Sequence, residues 1–274
     1  MPAPARPDPD ELLAVALDAA RRAGALLRDG RPDDLGVDHT KSSPTDVVTE
    51  MDIAAEKLLV QEISALRPDD GFLGEEGASR EGTSGVRWVV DPLDGTVNYL
   101  YGLPEWAVSV AAEDADGTVV GVVEVPMRGE VFRAVRGRGA FLTGPDGKER
   151  RLAVRPAPRL DRALVATGFG YLRERRNRQA AVARTLIPRV RDIRRGGSAA
   201  IDLSDVAAGR LDAHYERGLN PWDLAAGVLI AREAGARAGG RRVPEPDAEF
   251  ALTSAPGLYD QLHDTLDELG AWHD

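Results

Sequence analysis

The chain has 274 residues, 43% of them apolar and 29% charged, which is enough apolar side chain to bury a core without an external staple. A formal net charge of -10 argues against a protein built to coat nucleic acid, because phosphate-backbone binding draws on clustered Lys and Arg. The absence of cysteine excludes disulfides, thiolate zinc sites and cysteine nucleophiles, and no run of eighteen apolar residues exists to form a membrane-spanning helix, so the cytoplasm is the expected compartment.

The segment Met1–Asp10, rich in Pro and Ala, lacks the basic-then-apolar order of an export signal and is expected to be a short disordered lead. Apolar residues then recur at helical spacing from Asp10 to Arg28, with Gly30 as a stop, and again from Thr49 to Leu66, which Pro68 ends. The intervening Arg31–Asp46 reads as irregular. From Gly71 the pattern changes to short strands: Gly71–Leu73, Val86–Val90, Ala107–Ala112, Thr118–Val125 and Glu130–Val135, read as a meandering antiparallel sheet. Arg136–Phe141 reads as a tight turn between strands rather than a dinucleotide loop.

The Pro-rich, basic stretch Arg150–Arg159 reads as a seam between two αβ lobes, residues 1–152 and 153–274. Beyond it come a strand at Ala163–Thr167, a basic helix from about Arg173 to Pro188, and Ala-rich helices at Ser198–Ala208 and Trp222–Ala234. The fold class expected from this order is α+β, with an antiparallel sheet in the first half and a mixed sheet in the second.

Four acidic elements stand out. Asp91-Pro-Leu-Asp94-Gly-Thr96 follows the apolar strand Trp88–Val90, where Pro92 fixes one backbone angle and Gly95 permits an unusual one. Asp91, Asp94 and the Leu93 carbonyl can then converge on one point, the oxygen-rich setting that a hard cation such as Mg²⁺ prefers. Taken alone, Asp-Pro and Asp-Gly are turn formers. Gly74-Glu75-Glu76-Gly77 lies immediately upstream, and two acidic loops on neighbouring strands repel unless a cation neutralises them. The third element is Asp46-Val-Val-Thr49-Glu-Met-Asp52, for which helix capping is the plainer account of Thr49 and Asp52. The fourth is Asp223, in Asn220-Pro-Trp-Asp-Leu-Ala-Ala226, at a helix start where the dipole favours an acid.

In this order the elements resemble the inositol monophosphatase family of Mg²⁺-dependent, lithium-sensitive phosphatases. The resemblance runs from Lys41-Ser-Ser-Pro-Thr-Asp46 through Gly74-Glu-Glu76 and Trp88-Val-Val-Asp-Pro-Leu-Asp-Gly-Thr-Val-Asn98 to Gly197-Ser-Ala-Ala200 and Trp222-Asp-Leu-Ala-Ala226. It implies a layered αβαβα sugar-phosphatase fold, two or three Mg²⁺ ions, a homodimer, and hydrolysis of inositol 1-phosphate by a metal-activated water. By the same resemblance Glu75, Asp91, the Leu93 carbonyl, Asp94 and Asp223 are metal ligands, Asp91 bridging two ions. Thr96 and Asp46 form a relay in which Asp46 holds the Thr96 hydroxyl, Glu75 assists as a base, and Lys41 contributes charge.

Phosphate would rest on the Gly95 and Thr96 amides. The substrate would also meet Asp94 and Asp223, while Gly197, Ser198, Ala199 and Glu216 select its alcohol part. A departure follows Glu216, where Arg217-Gly-Leu-Asn-Pro221 stiffens a loop beside the substrate and leaves substrate detail open. Histidinol-phosphate phosphatase is the next reading, with fructose bisphosphatase and 3′-phosphoadenosine phosphatase behind it. A reading from another class is a non-catalytic regulator binding RNA or polymerase through the Arg173–Arg195 basic run, but a solvated helix or a subunit interface is the better account of that run, given the acidic total and the sparse interleaved aromatics. Ser198 lacks the Gly-x-Ser-x-Gly elbow, and His39, His214, His263 and His273 show no ligand spacing; His214 is expected in a strand of the substrate lobe.

Overall fold

The computed structural model describes residues 8–156, 159–241 and 243–272. Most of the expected N-terminal lead lies outside these residues. Its last part is helical, because the Asp8 carboxylate caps the Asp10 amide at 3.0 Å and Pro9 suits the first helical position. Helix α1 therefore runs Pro9–Asp29 and buries an Ala-rich stripe. A short hairpin, β1 (His39–Thr40) and β2 (Val47–Val48), occupies part of the segment read as irregular. Helix α2 (Glu50–Leu66) opens on a capping box in which Thr49 and Asp52 satisfy each other's end of the turn.

The first sheet contains β3 (Gly71–Gly74), β4 (Ser79–Arg80), β5 (Arg87–Asp94), β6 (Ala107–Asp114), β7 (Gly117–Val125), β8 (Glu130–Val135), β9 (Gly139–Thr143) and β10 (Glu149–Arg151). Its spatial order is β10-β9-β8-β7-β6-β5-β3-β4. The segment read as a turn at Arg136–Phe141 is a turn only as far as Arg138, and Gly139 begins β9. The sheet is also not purely antiparallel. β4 folds back along β3, so that β5 enters parallel to β3 with Gly74 opposite Val90. That pairing brings the loops after β3 and β5 to the same edge. A short helix, α3 (Thr96–Leu100), follows β5.

The second sheet has β11 (Leu164–Thr167), β12 (Asp192–Arg194), β13 (Ala213–Glu216), β14 (Arg237–Gly239) and β15 (Ala251–Ser254), in the order β12-β11-β13-β15-β14. β11, β12 and β13 are parallel, whereas β15 is antiparallel to both of its neighbours. Helices α4 (Arg173–Leu186), α5 (Ala199–Ala207), α6 (Pro221–Glu233) and α7 (Pro256–Glu268) complete the α+β fold.

Three apolar layers bind these elements. Leu12, Ala16, Leu59 and Ile63 from α1 and α2 pack on Trp88, Val90, Val110 and Val122 of the first sheet. Its opposite face, Val89, Ala111, Val123 and Phe132, packs on Ile201, Ala226 and Ile230 of α5 and α6. The second sheet covers the far side of those helices and packs its outer face, Val165, Tyr215 and Leu252, on Leu186, Leu258 and Leu262 of α4 and α7. The layers are thus α, β, α, β, α. Burying β5 on both faces removes the apolar–polar alternation of a one-sided strand. No helix among the described residues is long and apolar enough to cross a membrane.

A candidate metal and phosphate site

The chemistry gathers where β3 and β5 of one sheet and β11, β12 and β13 of the other end together. At the end of β5 the ladder to β6 slips: Asp91 faces Ser109 and Asp94 faces Ala107, so Pro92 and Leu93 oppose the single residue Val108. Pro92 has no amide to leave unpaired in this bulge, and the Leu93 amide donates to Asp91 Oδ1 at 2.9 Å. The bulge turns both aspartates toward the cleft. Gly95 then closes the loop at φ 105°, and a side chain there would meet the Glu105 carbonyl at 2.8 Å.

Asp223 arrives from the first turn of α6, where its Oδ2 accepts from the Asn220 amide at 2.6 Å. One carboxylate oxygen from each of Asp91, Asp94 and Asp223 lies within 4.8 Å of the others. Burial, followed by the charges of Glu75, Asp94 and Asp223, holds Asp91 well above the usual carboxylate range. Asp223 is raised for the same reasons, burial first and then Asp94 and Glu75. Burial pushes Asp94 up to about 7 even though Ser198 Oγ and the Ala200 amide donate to its Oδ2 at 2.6 and 2.7 Å.

Every donor in this group is oxygen, with the Leu93 carbonyl lining the same cleft, and the set fits a hard divalent cation. Glu75 also lines the cleft, but its Oε1 is taken by Lys41 Nζ at 2.8 Å. Lys41 reaches Glu76 as well, at 2.7 Å. Partial burial alone would lower the lysine pKa, and the two glutamates outweigh it and raise it. Burial pushes Glu76 up to about 7 against the pull of Lys41.

The relay expected between Asp46 and Thr96 is not formed. The Thr96 hydroxyl donates to Asp52 Oδ1 at 2.9 Å and lies 3.2 Å from the Leu93 carbonyl, whereas Asp46 accepts from the Ser42 amide and hydroxyl within its own loop. Strand β2 and the start of α2, five residues in all, separate the two acids, and only the capping turn of α2 brings its acid to Thr96. Asp52, 1% exposed, also accepts from the Thr49 amide and hydroxyl, and its pKa is raised chiefly by burial.

The whole cleft is about 510 Å³ in volume, and Gly168, Gly197, Ser198, Ala199, Asp202 and Glu216 also line it. The Ser198 hydroxyl is committed to Asp94 and to capping the Ile201 amide at 3.2 Å, so it acts on the aspartate and leaves backbone groups to meet a ligand.

This arrangement can be set beside known proteins. The model of the inositol monophosphatase family matches residues 8–268. The chain belongs to that family. The inositol-1-monophosphatase SuhB of Mycobacterium tuberculosis is 43% identical over 277 residues, 94% of each chain. The Nus factor SuhB of Escherichia coli is 42% identical over 226 residues, 82% of this chain and 83% of that one. The solved structure of Mycobacterium tuberculosis SuhB superposes with a TM-score of 0.83 at 41% identity, covering 97% of this chain and 99% of the other.

Within this member of the inositol monophosphatase family, three supporting residues escaped sequence reasoning. Glu56, on α2, accepts from the Glu76 and Ala78 amides at 2.8 and 2.9 Å and so holds the turn that presents Glu75. Its only sequence signal is an acid on the apolar side of a helix. Asn98 donates to the carbonyls of Glu105 and Gly196 at 2.6 and 2.9 Å, pinning α3 to the segment before α5. Asp202 is buried in the first turn of α5 and faces the cleft, where a helix-dipole reading would have accounted for it.

Proposed function

We propose that this protein is a Mg²⁺-dependent phosphomonoesterase that hydrolyses myo-inositol 1-phosphate to inositol and inorganic phosphate, and that Li⁺ inhibits it. The observation that carries the reading is the convergence of Asp91, Asp94 and Asp223 within 4.8 Å, a set of acids that repel one another unless a cation joins them. Divalent cations held by Glu75, Asp91, the Leu93 carbonyl, Asp94 and Asp223 would polarise the phosphoryl group and lower the pKa of an adjacent water.

The protein groups divide the remaining work. The first-turn amides of α3, from Gly95 and Thr96, have no partner within their helix and seat phosphate oxygens. Thr96 Oγ1, anchored by Asp52, orients the attacking water, and the Asp52 carboxylate receives the proton passed through that hydroxyl. Lys41 keeps Glu75 and Glu76 in place at the rim. Glu216 and the backbone of Gly197 and Ala199 bind the alcohol hydroxyls.

A panel of myo-inositol 1-phosphate, histidinol phosphate, fructose bisphosphate, 3′-phosphoadenosine phosphate and p-nitrophenyl phosphate, each with and without Mg²⁺, tests this. The highest kcat/KM is expected for inositol 1-phosphate. A higher value for another ester reassigns the substrate, and no Mg²⁺-dependent release from any of them overturns the enzymatic reading.

A second reading is favoured by relatives named Nus factor and by the exposed arginines Arg173, Arg176, Arg178 and Arg184 on α4. It makes the chain a regulatory partner on the same fold. Salt-sensitive RNA binding by a protein that releases no phosphate would support it over the first.

A further inference from the structure

His214 lies on β13 with no exposed surface, on the face that looks toward α5. Its Nε2 stands 3.3 Å from Glu216 Oε2, and its Nδ1 is buried without a hydrogen-bond partner in the described structure. A buried, half-satisfied imidazole is costly to keep and calls for a physical account. The charged groups that act on it are Glu216 on its own strand, Asp202 from α5 and Asp94 from the end of β5. Its cross-strand neighbours, Ala166 on β11 and Thr253 on β15, carry no charge.

Glu216 itself is held from two directions. One is the imidazole. The other is Gly168 at the end of β11, where a side-chain carbon would fall 1.9 Å from Glu216 Oε1, so the carboxylate rests against bare backbone. Between them these two contacts leave the carboxylate facing the cleft lined by Gly168, Asp202 and Glu216.

We propose that His214 is the positioning residue of the alcohol subsite: its imidazolium, shut between Asp202 and Glu216, holds the Glu216 carboxylate in the pose that accepts two vicinal hydroxyls, and releases that pose when it loses its proton. The inference rests on the phosphomonoesterase reading and adds to it a pH-sensitive preference for polyol esters. Burial alone would lower the imidazole pKa, but the hydrogen bond that Nε2 donates to Glu216 and the charges of Asp202 and Glu216 raise it. The charged form therefore persists to higher pH than in a free imidazole and is lost as pH rises further. A neutral imidazole attracts the carboxylate less, and the hydroxyl-accepting geometry loosens.

The test is the ratio of KM for myo-inositol 1-phosphate to KM for p-nitrophenyl phosphate, which has no hydroxyls, between pH 6 and pH 9 with saturating Mg²⁺. Wild type, His214→Gln, Glu216→Gln and the double variant are compared. Taking the ratio cancels changes in metal and phosphate binding that both esters share. In wild type the ratio should rise about tenfold with pH, and in both single variants it should be high and flat. The double variant should match Glu216→Gln, because both substitutions remove one interaction.

A flat wild-type ratio, equal effects of His214→Gln on both esters, or additive effects in the double variant would each overturn the proposal. If His214→Gln does not fold, His214→Asn takes its place in the same comparison, and a wild-type ratio flat with pH overturns the proposal without any variant. Failure of wild type to hydrolyse p-nitrophenyl phosphate with Mg²⁺ would instead remove the phosphatase reading beneath it.

Discussion

Asp94 serves both halves of the molecule with one carboxylate. Its Oδ2 is fixed by Ser198 Oγ and the Ala200 amide across the cleft, while the same side chain stands among Asp91 and Asp223. Asparagine keeps the shape and can still accept those two bonds through its amide oxygen, but it carries no charge. We expect Asp94→Asn to lower the rate by at least on the order of 10²-fold. In EDTA above pH 7 its melting temperature should equal or exceed that of wild type, because a repelling buried charge is gone. A near-normal rate, read as phosphate release, would take Asp94 out of the metal site. A second comparison separates two aspartates of one motif. Asp52→Asn should slow turnover about 10²-fold through Thr96 and cost about 1 kcal/mol at the α2 cap. Asp46→Asn, whose partner is Ser42, should leave the rate near that of wild type. Equal losses in the two variants would restore Asp46 to the relay. Spacing along the motif could not choose between these acids, since only the start of α2 determines which one turns inward.

At the scale of elements, the decisive feature is the parallel pairing of β3 with β5, which puts the residue after Gly74 beside Asp91. The chain-order reading found both strands and expected an antiparallel meander. Local periodicity is the same for either pairing, and the two-residue β4 that reverses the chain is too short to show a pattern. Similar limits hid β9, which begins directly after a turn containing Gly137, and the second-sheet strands β12 and β14, of three residues each. The long amphipathic α1 and α2 were legible to within two residues because many periodic positions report on each. The turn carrying Glu75 depends on Glu56, a contact spanning twenty positions with no local trace. We expect Glu56→Ala to destabilise the fold by about 2 kcal/mol, since two amides lose their acceptor, and to weaken Mg²⁺ binding by releasing the Glu75 turn. Urea unfolding and Mg²⁺ titration read the two effects, and an unchanged urea midpoint would show that the turn stands without Glu56.

Over the whole molecule, the layered arrangement places the site where both sheets end, with α5 and α6 of the second half packed on the first sheet. The clustered acids therefore come from elements that only the complete fold assembles: Asp91 and Asp94 from β5, and Asp223 from α6, more than a hundred positions away. The identity of these acids was readable as motifs, whereas their convergence required the packing. That convergence ties stability to pH and to metal. In the folded, metal-free protein Asp91, Asp94 and Asp223 have raised pKa values, Asp94 up to about 7, so between the ordinary carboxylate range and pH 7 the folded state binds more protons than the unfolded chain. Stability in EDTA should accordingly fall as pH rises through that window. Asp202 and Glu124, both pushed up to about 7 by burial, add to the same slope without belonging to the acid group. A bound divalent cation needs the acids ionised, so it binds more tightly as they lose protons and offsets their repulsion. The difference between melting temperatures in Mg²⁺ and in EDTA isolates the site from Asp202 and Glu124. We expect that difference to be small at pH 5.5 and to grow steadily to pH 8, and to stay small at every pH in Asp94→Asn. A wild-type difference independent of pH would mean that these three carboxylates do not bind the cation as a titrating group.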